Sequence, residues 1–195
     1  MKFIMMGLSM LLLVSCANQR YTGLADPSKR IDKVSGVSVL PPQEQGWFIP
    51  HMSLYELGLV KQGSLPNATY AAQVKLFQLP EFESEEQYFQ YISQGRAAGP
   101  ATGRFNQLQN KEELFRGRGA YCVKFYNISE DRAPKTPSVV RSMVMETIGY
   151  NCQHPKNKSI GVDFEYSYRH YAGDEDANLE KKANAFLDQV QFTDF

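Results

Sequence analysis

The chain has 195 residues, of which 43% are hydrophobic and 12% aromatic, so it can bury the core of one domain. Its 21 basic and 21 acidic residues cancel to a formal net charge of zero. Without a basic excess or a polybasic cluster, nucleic-acid binding and electrostatic attachment to anionic lipid are excluded as leading functions.

The chain starts with the layout of an export signal. Lys2 precedes an apolar run of 12 residues from Phe3 to Val14, which fits the core of a signal peptide, about 7–15 residues. The run is too short to span a bilayer, which takes about 20 residues. A buried core helix is the alternative, although the run lacks an amphipathic stripe.

The apolar run ends in a short motif, Leu13-Val14-Ser15-Cys16. This motif resembles the lipobox of bacterial lipoproteins, in which an aliphatic residue and a small residue precede a cysteine. The resemblance implies cleavage before Cys16 and attachment of diacylglycerol and palmitate to it. Because Ala17 and not Asp follows the cysteine, it also implies sorting to the outer membrane. We therefore expect a signal peptide over residues 1–15 and a membrane-anchored protein on the periplasmic or surface face.

Residues 16–45 predict an acylated N-terminus and a flexible tether, because they are polar, contain Gly, Ser and Pro, and show little apolar periodicity. The segment VSGVSVL favours a short edge strand within it. A globular domain is expected over residues 46–195. It opens with the strand-like segments GWFIPHMSLYELGLVKQG and ATYAAQVKLFQL.

A helix is predicted for ESEEQYFQYISQGRAAG, with Ser84 as its N-cap, acidic residues in its first turn, and Gly95 and Gly99 at its end. Two further strands are predicted in RFNQLQNKEELFRGRGAYCVKFYNISED, and an antiparallel pair in SVVRSMVMETIGYNC and SIGVDFEYSYRHY. The C-terminal GDEDANLEKKANAFLDQVQF predicts a helix with one apolar stripe.

The cysteines predict a structural disulfide. With Cys16 assigned to the lipid, Cys122 and Cys152 remain, and two thiols of an exported domain usually pair. They lie on two strand-like runs whose hairpin would place them directly opposite each other. A reactive thiol is the alternative, but neither cysteine has a CxxC spacing or an adjacent histidine.

This order of elements predicts an α+β fold: one antiparallel sheet of about five to six strands, packed by two helices, in a single domain. The order loosely resembles the α/β sandwich of PsbP-like proteins, with an aromatic strand start at Trp47-Phe48 and a last long strand followed by a packed helix. The resemblance rests on element order alone and transfers no functional residue.

No catalytic or metal-binding motif stands out. His51, His154 and His170 are far apart, which predicts ordinary surface or turn histidines and no zinc site. The acidic run from Asp174 begins like a calcium loop but lacks its glycine and its final glutamate, so it predicts a helix start. We expect no cofactor, no metal and no catalytic residue.

One set of residues stays open as a binding surface. Tyrosine offers a rigid apolar body with a polar tip, which suits ligand grooves and partner surfaces, although packing in the core and on the sheet face is the simpler explanation. The candidates are Tyr121, Tyr126, Tyr150, Tyr166 and Tyr168.

The leading hypothesis is an outer-membrane lipoprotein whose envelope domain is a non-catalytic accessory, assembly or partner-binding module, with a protein partner in the cell envelope. The alternative is a protein that binds a small molecule or an envelope polymer in a tyrosine-lined groove. A hydrolase with a site assembled from dispersed residues is the third hypothesis, and a histidine–carboxylate pair beside a nucleophile would favour it.

Overall fold

The computed structural model describes residues 23–98, 103–132 and 142–195. Cys16 and the predicted signal peptide lie outside the described residues, so the expectations for them remain predictions. Within the described residues, no helix is both long and apolar enough to cross a membrane.

The described chain forms one large antiparallel sheet, one small sheet and two helices. The large sheet has eight strands in the order β1-β3-β4-β5-β9-β8-β7-β6, and β10 pairs with β2 in the small one. In chain order the elements are β1 (Gly23–Leu24), β2 (Val37–Ser38), β3 (Phe48–Met52), β4 (Glu56–Gln62), β5 (Thr69–Gln78), α1 (Glu85–Ala98), β6 (Phe105–Phe115), β7 (Cys122–Asp131), β8 (Met143–His154), β9 (Asn157–Tyr171), α2 (Leu179–Leu187) and β10 (Gln191–Phe192).

The two helices pack on opposite faces of the large sheet. Leu179, Ala183 and Phe186 of α2 are buried in the main core with Phe164 and other even-numbered residues of β9, and we call this side the α2 face. Tyr88 and Ile92 of α1 form a second core with Val123 of β7, on what we call the α1 face. At its start, α1 is capped as predicted, because the Ser84 Oγ accepts the Gln87 N–H at 3.2 Å.

The fold class is confirmed, but the strand count of five to six is wrong. The segment predicted as one strand, GWFIPHMSLYELGLVKQG, is the hairpin of β3 and β4. Ser53 makes the turn, because its Oγ accepts the N–H groups of both Tyr55 and Glu56. Leu54 and Tyr55, which resemble the middle of a strand in the sequence, stand exposed at its tip.

The predicted tether is also wrong over residues 23–45. Val34, Val37 and Val39 are fully buried in the main core, where they pack with α2 and β9. Arg30 joins this segment to the end of α2 by donating to the Gln189 carbonyl at 2.9 Å. Burial of the three valines stabilises the folded segment by about 1.5–3 kcal/mol each, and it opposes part of the loss of chain entropy.

The predicted pairing of the two cysteines is confirmed. Cys122 and Cys152 lie directly opposite each other in the β7–β8 ladder and form a disulfide with no exposed area. The sequence separation of 30 residues makes the bridge a long-range constraint on the middle of the sheet.

We expect the double substitution Cys122→Ala with Cys152→Ala to lower the free energy of unfolding by about 3–4 kcal/mol, since it frees a long loop in the unfolded chain. Urea denaturation of both proteins measures the difference. Alkylation of either cysteine in the native protein without reductant would contradict the bridge.

Candidate binding cleft on the α1 face

A cleft of about 660 Å³ lies between the sheet and the C-terminal half of α1. Its walls are Gly95 to Ala98 of α1 and Phe105 to Gln107 of β6. Its floor includes polar side chains from three neighbouring strands: Asn127, Ser129, Thr147, Asp163 and Glu165. The α1-face cleft exists because α1 covers only part of this face, near β6 and β7.

Two carboxyl groups share the cleft floor. Asp163 and Glu165 are alternate residues of β9, so both point to the α1 face. Asn151 Nδ2 donates to Asp163 Oδ1 at 2.8 Å, and Gln73 Nε2 donates to Glu165 Oε1 at 2.7 Å. One strand-to-strand amide partner therefore holds each carboxyl in place.

The pKa values of both carboxyl groups are raised. Burial raises the pKa of Asp163, while Arg96 and Lys75 lower it in part. Burial also raises the pKa of Glu165, and repulsion from Asp163 adds to this effect. Glu165 therefore carries a proton into the neutral range and can donate a hydrogen bond, while Arg96 supplies a positive charge beside it.

Arg96 fastens the end of α1 to the sheet. Its Nε donates to Glu112 Oε1 at 2.9 Å, and its guanidinium lies 3.3 Å above the centre of the Phe125 ring. Asn110 Nδ2 donates to the same Glu112 oxygen at 2.9 Å. A fixed cation at the rim of a half-buried acid pair gives the cleft separate donors and acceptors for a polar ligand.

Gly149 makes room for this arrangement. A Cβ atom there would lie 2.7 Å from the Glu165 Cβ, from the Phe125 Cζ and from the Phe164 carbonyl oxygen. The missing side chain leaves room for the Phe125 ring and for Glu165 beside the strand. Glycine within a strand, where it packs poorly, is the one signal in the sequence that points to this site.

The five candidate tyrosines do not form one surface. Tyr150, Tyr166 and Tyr168 are at most 6% exposed and belong to the main core on the α2 face. Tyr121 packs near Tyr88 on the α1 face. Only Tyr126 lines a cleft, one of about 490 Å³ between β6–β8 and the start of α2.

Glu146, which lines the cleft of the α2 face, has a histidine partner that the sequence did not indicate. Tyr126 donates to Glu146 Oε2 at 2.6 Å, and the buried His170 Nε2 lies 3.1 Å from Glu146 Oε1. His170 Nδ1 faces the Tyr171 carbonyl oxygen at 2.8 Å, so both ring nitrogens face acceptors. Burial would lower the pKa of His170, but these two contacts outweigh it and raise the pKa.

The hydrolase hypothesis requires a nucleophile beside a histidine–carboxylate pair of this kind. The described residues that line the cleft include no serine, threonine or cysteine to act as a nucleophile beside His170 and Glu146. The His170 ring is also stacked on Tyr168 at a ring distance of 4.7 Å.

The prediction of ordinary surface or turn histidines is correct only for His51, which is exposed. His154 is fully buried, and its ring packs on Phe192 and Phe195. Its Nε2 donates to the Gly36 carbonyl at 2.9 Å. Over residues 23–98, 103–132 and 142–195, no group of three histidine, cysteine or acidic side chains is placed to hold a metal ion.

Comparison with known proteins finds distant structural similarity. No protein-family model and no curated protein matches the chain. Solved structures of a point mutant of the protein Mog1 and of the Ran-binding protein Mog1p of Saccharomyces cerevisiae are similar at 11% identity, with TM-scores of 0.45 and 0.43. Each match covers 85% of this chain and 97% or 96% of the other. The resemblance to PsbP-like proteins stays a prediction.

We expect the wild-type protein to lose stability as the pH rises from the ordinary glutamate pKa of about 4.3 to the raised value of about 8 for Glu165. In this window the folded state keeps a proton that the unfolded state has released, so a rise in pH favours unfolding. Glu165→Gln should flatten this dependence, as measured by urea denaturation at a series of pH values.

The matched control for this pH experiment is Glu113→Gln. The Glu113 side chain is 68% exposed and lies on the other face of the sheet, so this variant should keep the wild-type slope. A Glu165→Gln protein with an unchanged slope would contradict the raised pKa.

Proposed function

We propose that this protein is an outer-membrane lipoprotein, anchored through Cys16, whose envelope domain binds a protein partner in the α1-face cleft. The domain acts as a non-catalytic accessory or assembly module. The observation that carries the binding role is the cleft floor, where Asp163, Glu165 and the fixed cation Arg96 converge in a space large enough for an extended peptide segment.

The chemistry of the cleft suits recognition of a polypeptide. A backbone segment presents alternating N–H and C=O groups, which need acceptors and donors at short intervals. Asn127, Ser129 and Thr147 offer both kinds of group along the floor. Protonated Glu165 adds a donor for a carbonyl oxygen, and the carboxylate of Asp163 adds an acceptor.

The cysteines support the envelope location. Once Cys122 and Cys152 are bonded to each other, Cys16 is the remaining cysteine of the three in the chain. Structural disulfides are typical of exported proteins. Cys16 is thus free for the lipid attachment that its motif implies.

A second candidate function uses the same cleft. Its mixture of carboxyl, amide and hydroxyl groups also fits a small polar molecule or a fragment of an envelope polymer. In this candidate function the domain still binds in the α1-face cleft, but the ligand is a small molecule or polymer and not a protein. The same pair of variants therefore tests both candidate functions.

The test uses Ala97→Arg, because Ala97 is exposed on α1 and lines the cleft. Arginine is a good helix former, so the variant should keep α1 while its long side chain crosses the cleft. We expect affinity purification of the wild-type protein from membranes in mild detergent to recover a stoichiometric partner. Ala97→Arg should reduce that recovery at least about tenfold, equal to about 1.4 kcal/mol.

The control is Gln90→Arg, which adds the same charge to an exposed position of the same helix outside the cleft. It should recover the partner like the wild-type protein. A protein that elutes alone, but whose melting temperature rises with an envelope metabolite or cell-wall fragment, would favour the second candidate. Equal recovery with Ala97→Arg would rule out the cleft, and absence of palmitate on the wild-type chain would rule out the anchor.

A further inference from the structure

The β1 edge of the sheet carries an exposed apolar pair. The side chains of Leu24 and Phe48 are 68% and 49% exposed, and the register places the two residues directly opposite each other. Residues paired in this way have Cβ atoms about 4.5–5.5 Å apart, so they form one continuous patch. Phe48 pairs with Val60 near the end of β4. Leu65, which is 41% exposed, lies in the turn that follows β4.

The covalent chain limits how far this patch can lie from Cys16. Seven residues lead from Cys16 to Gly23, and a chain of seven residues spans at most about 25 Å when fully extended. The connection is short because the chain is already folded from residue 23 onward, where the sequence predicted a tether up to residue 45. An anchor at Cys16 would therefore hold the β1 edge within about 25 Å of the lipid surface.

The opposite edge of the sheet is free to lie farther away. The order of the eight strands places seven spacings between β1 and β6, or about 34 Å at about 4.8 Å each. Leu108 of β6 is 58% exposed and has an apolar surface similar to that of Leu24. It is therefore a matched reference position on the far edge.

We infer that Leu24 and Phe48 insert into the headgroup region of the membrane that holds Cys16. The inference rests on the proposed acylation of Cys16. Leucine and phenylalanine are typical of surfaces that insert at the membrane interface. A patch tethered at short range needs only weak intrinsic affinity, because the tether raises its effective concentration.

Charge near the patch favours apolar insertion over binding to anionic lipid. From residue 26 to residue 33 the chain carries Asp26, Lys29, Arg30, Asp32 and Lys33, which nearly cancel. We therefore expect the contact to persist at high salt and without phosphatidylglycerol.

The experiment places a nitroxide spin label at Leu24→Cys, Phe48→Cys or Leu108→Cys in the full-length acylated protein. The other cysteines do not react, because Cys122 and Cys152 are bonded and Cys16 carries lipid. The protein is placed in vesicles of phosphatidylethanolamine and phosphatidylglycerol, where oxygen concentrates in the lipid and a nickel chelate stays in the water. We expect the spin labels at positions 24 and 48 to be several-fold more accessible to oxygen than to the nickel chelate. Label 108 should show the reverse.

Two controls accompany the labels. Emission from Trp47, the only tryptophan and 1% exposed, reports that each variant is folded. The intact mass of the purified chain reports the lipid on Cys16. If the chain is acylated but labels 24 and 48 are as accessible to nickel as label 108, the inference fails while the anchor stands.

Two other outcomes would also overturn the inference. Dipolar broadening at 24 and 48 that grows with protein density would assign the patch to a second copy of the chain. A chain without lipid that washes off the vesicles would remove the premise, and the proposed function would fail with it.

Discussion

The two-sided alternation of β9 is the constraint on which the rest of the structure depends. This strand has 15 residues and lies in the middle of the sheet, between β5 and β8. Its even-numbered residues, such as Phe164 and Tyr166, are buried against α2, whereas Asp163 and Glu165 face α1. A slip of one residue would put both carboxyl groups into the apolar core, so the register is strongly specified. The Cys122–Cys152 bridge holds the adjacent ladder in that register, because Cys152 pairs with Val162 of β9.

The two faces differ because the two helices cover them differently. The α2 stripe meets a continuous apolar surface, and the valines of residues 23–45 extend that core. On the other face, α1 buries only Tyr88 and Ile92, and its end is held by the polar contact of Arg96 with Glu112. Incomplete cover leaves buried polar groups beside open space, and this is the arrangement from which binding clefts are built.

The sequence predicted the features that depend on local pattern. Alternation revealed β9, the spacing of two cysteines gave the β7–β8 register, and Ser84 marked the start of α1. It failed where long-range packing decides. Val34, Val37 and Val39 look like scattered residues in a polar segment until α2 is placed beside them. His154 looked like a turn residue because its partner, Gly36, is 118 residues away in the chain. Nothing local distinguishes Glu165 from the other acidic residues, since its burial depends on α1, Gly149 and Phe125 together.

The energetic cost of the acid pair is itself an argument for function. Burial and mutual repulsion raise the pKa of Glu165, so the folded state is less stable above the ordinary glutamate pKa than it would be with glutamine. Glutamine would keep an oxygen to accept the Gln73 amide hydrogen bond at no electrostatic cost. A structural role alone therefore does not require two adjacent carboxyl groups there. Groups that cost stability and face a cleft are typical of sites where recognition takes precedence over stability. The same reasoning does not apply to Glu146, because hydrogen bonds from His170 and Tyr126 lower its pKa, so the α1-face cleft is the better candidate for the functional surface.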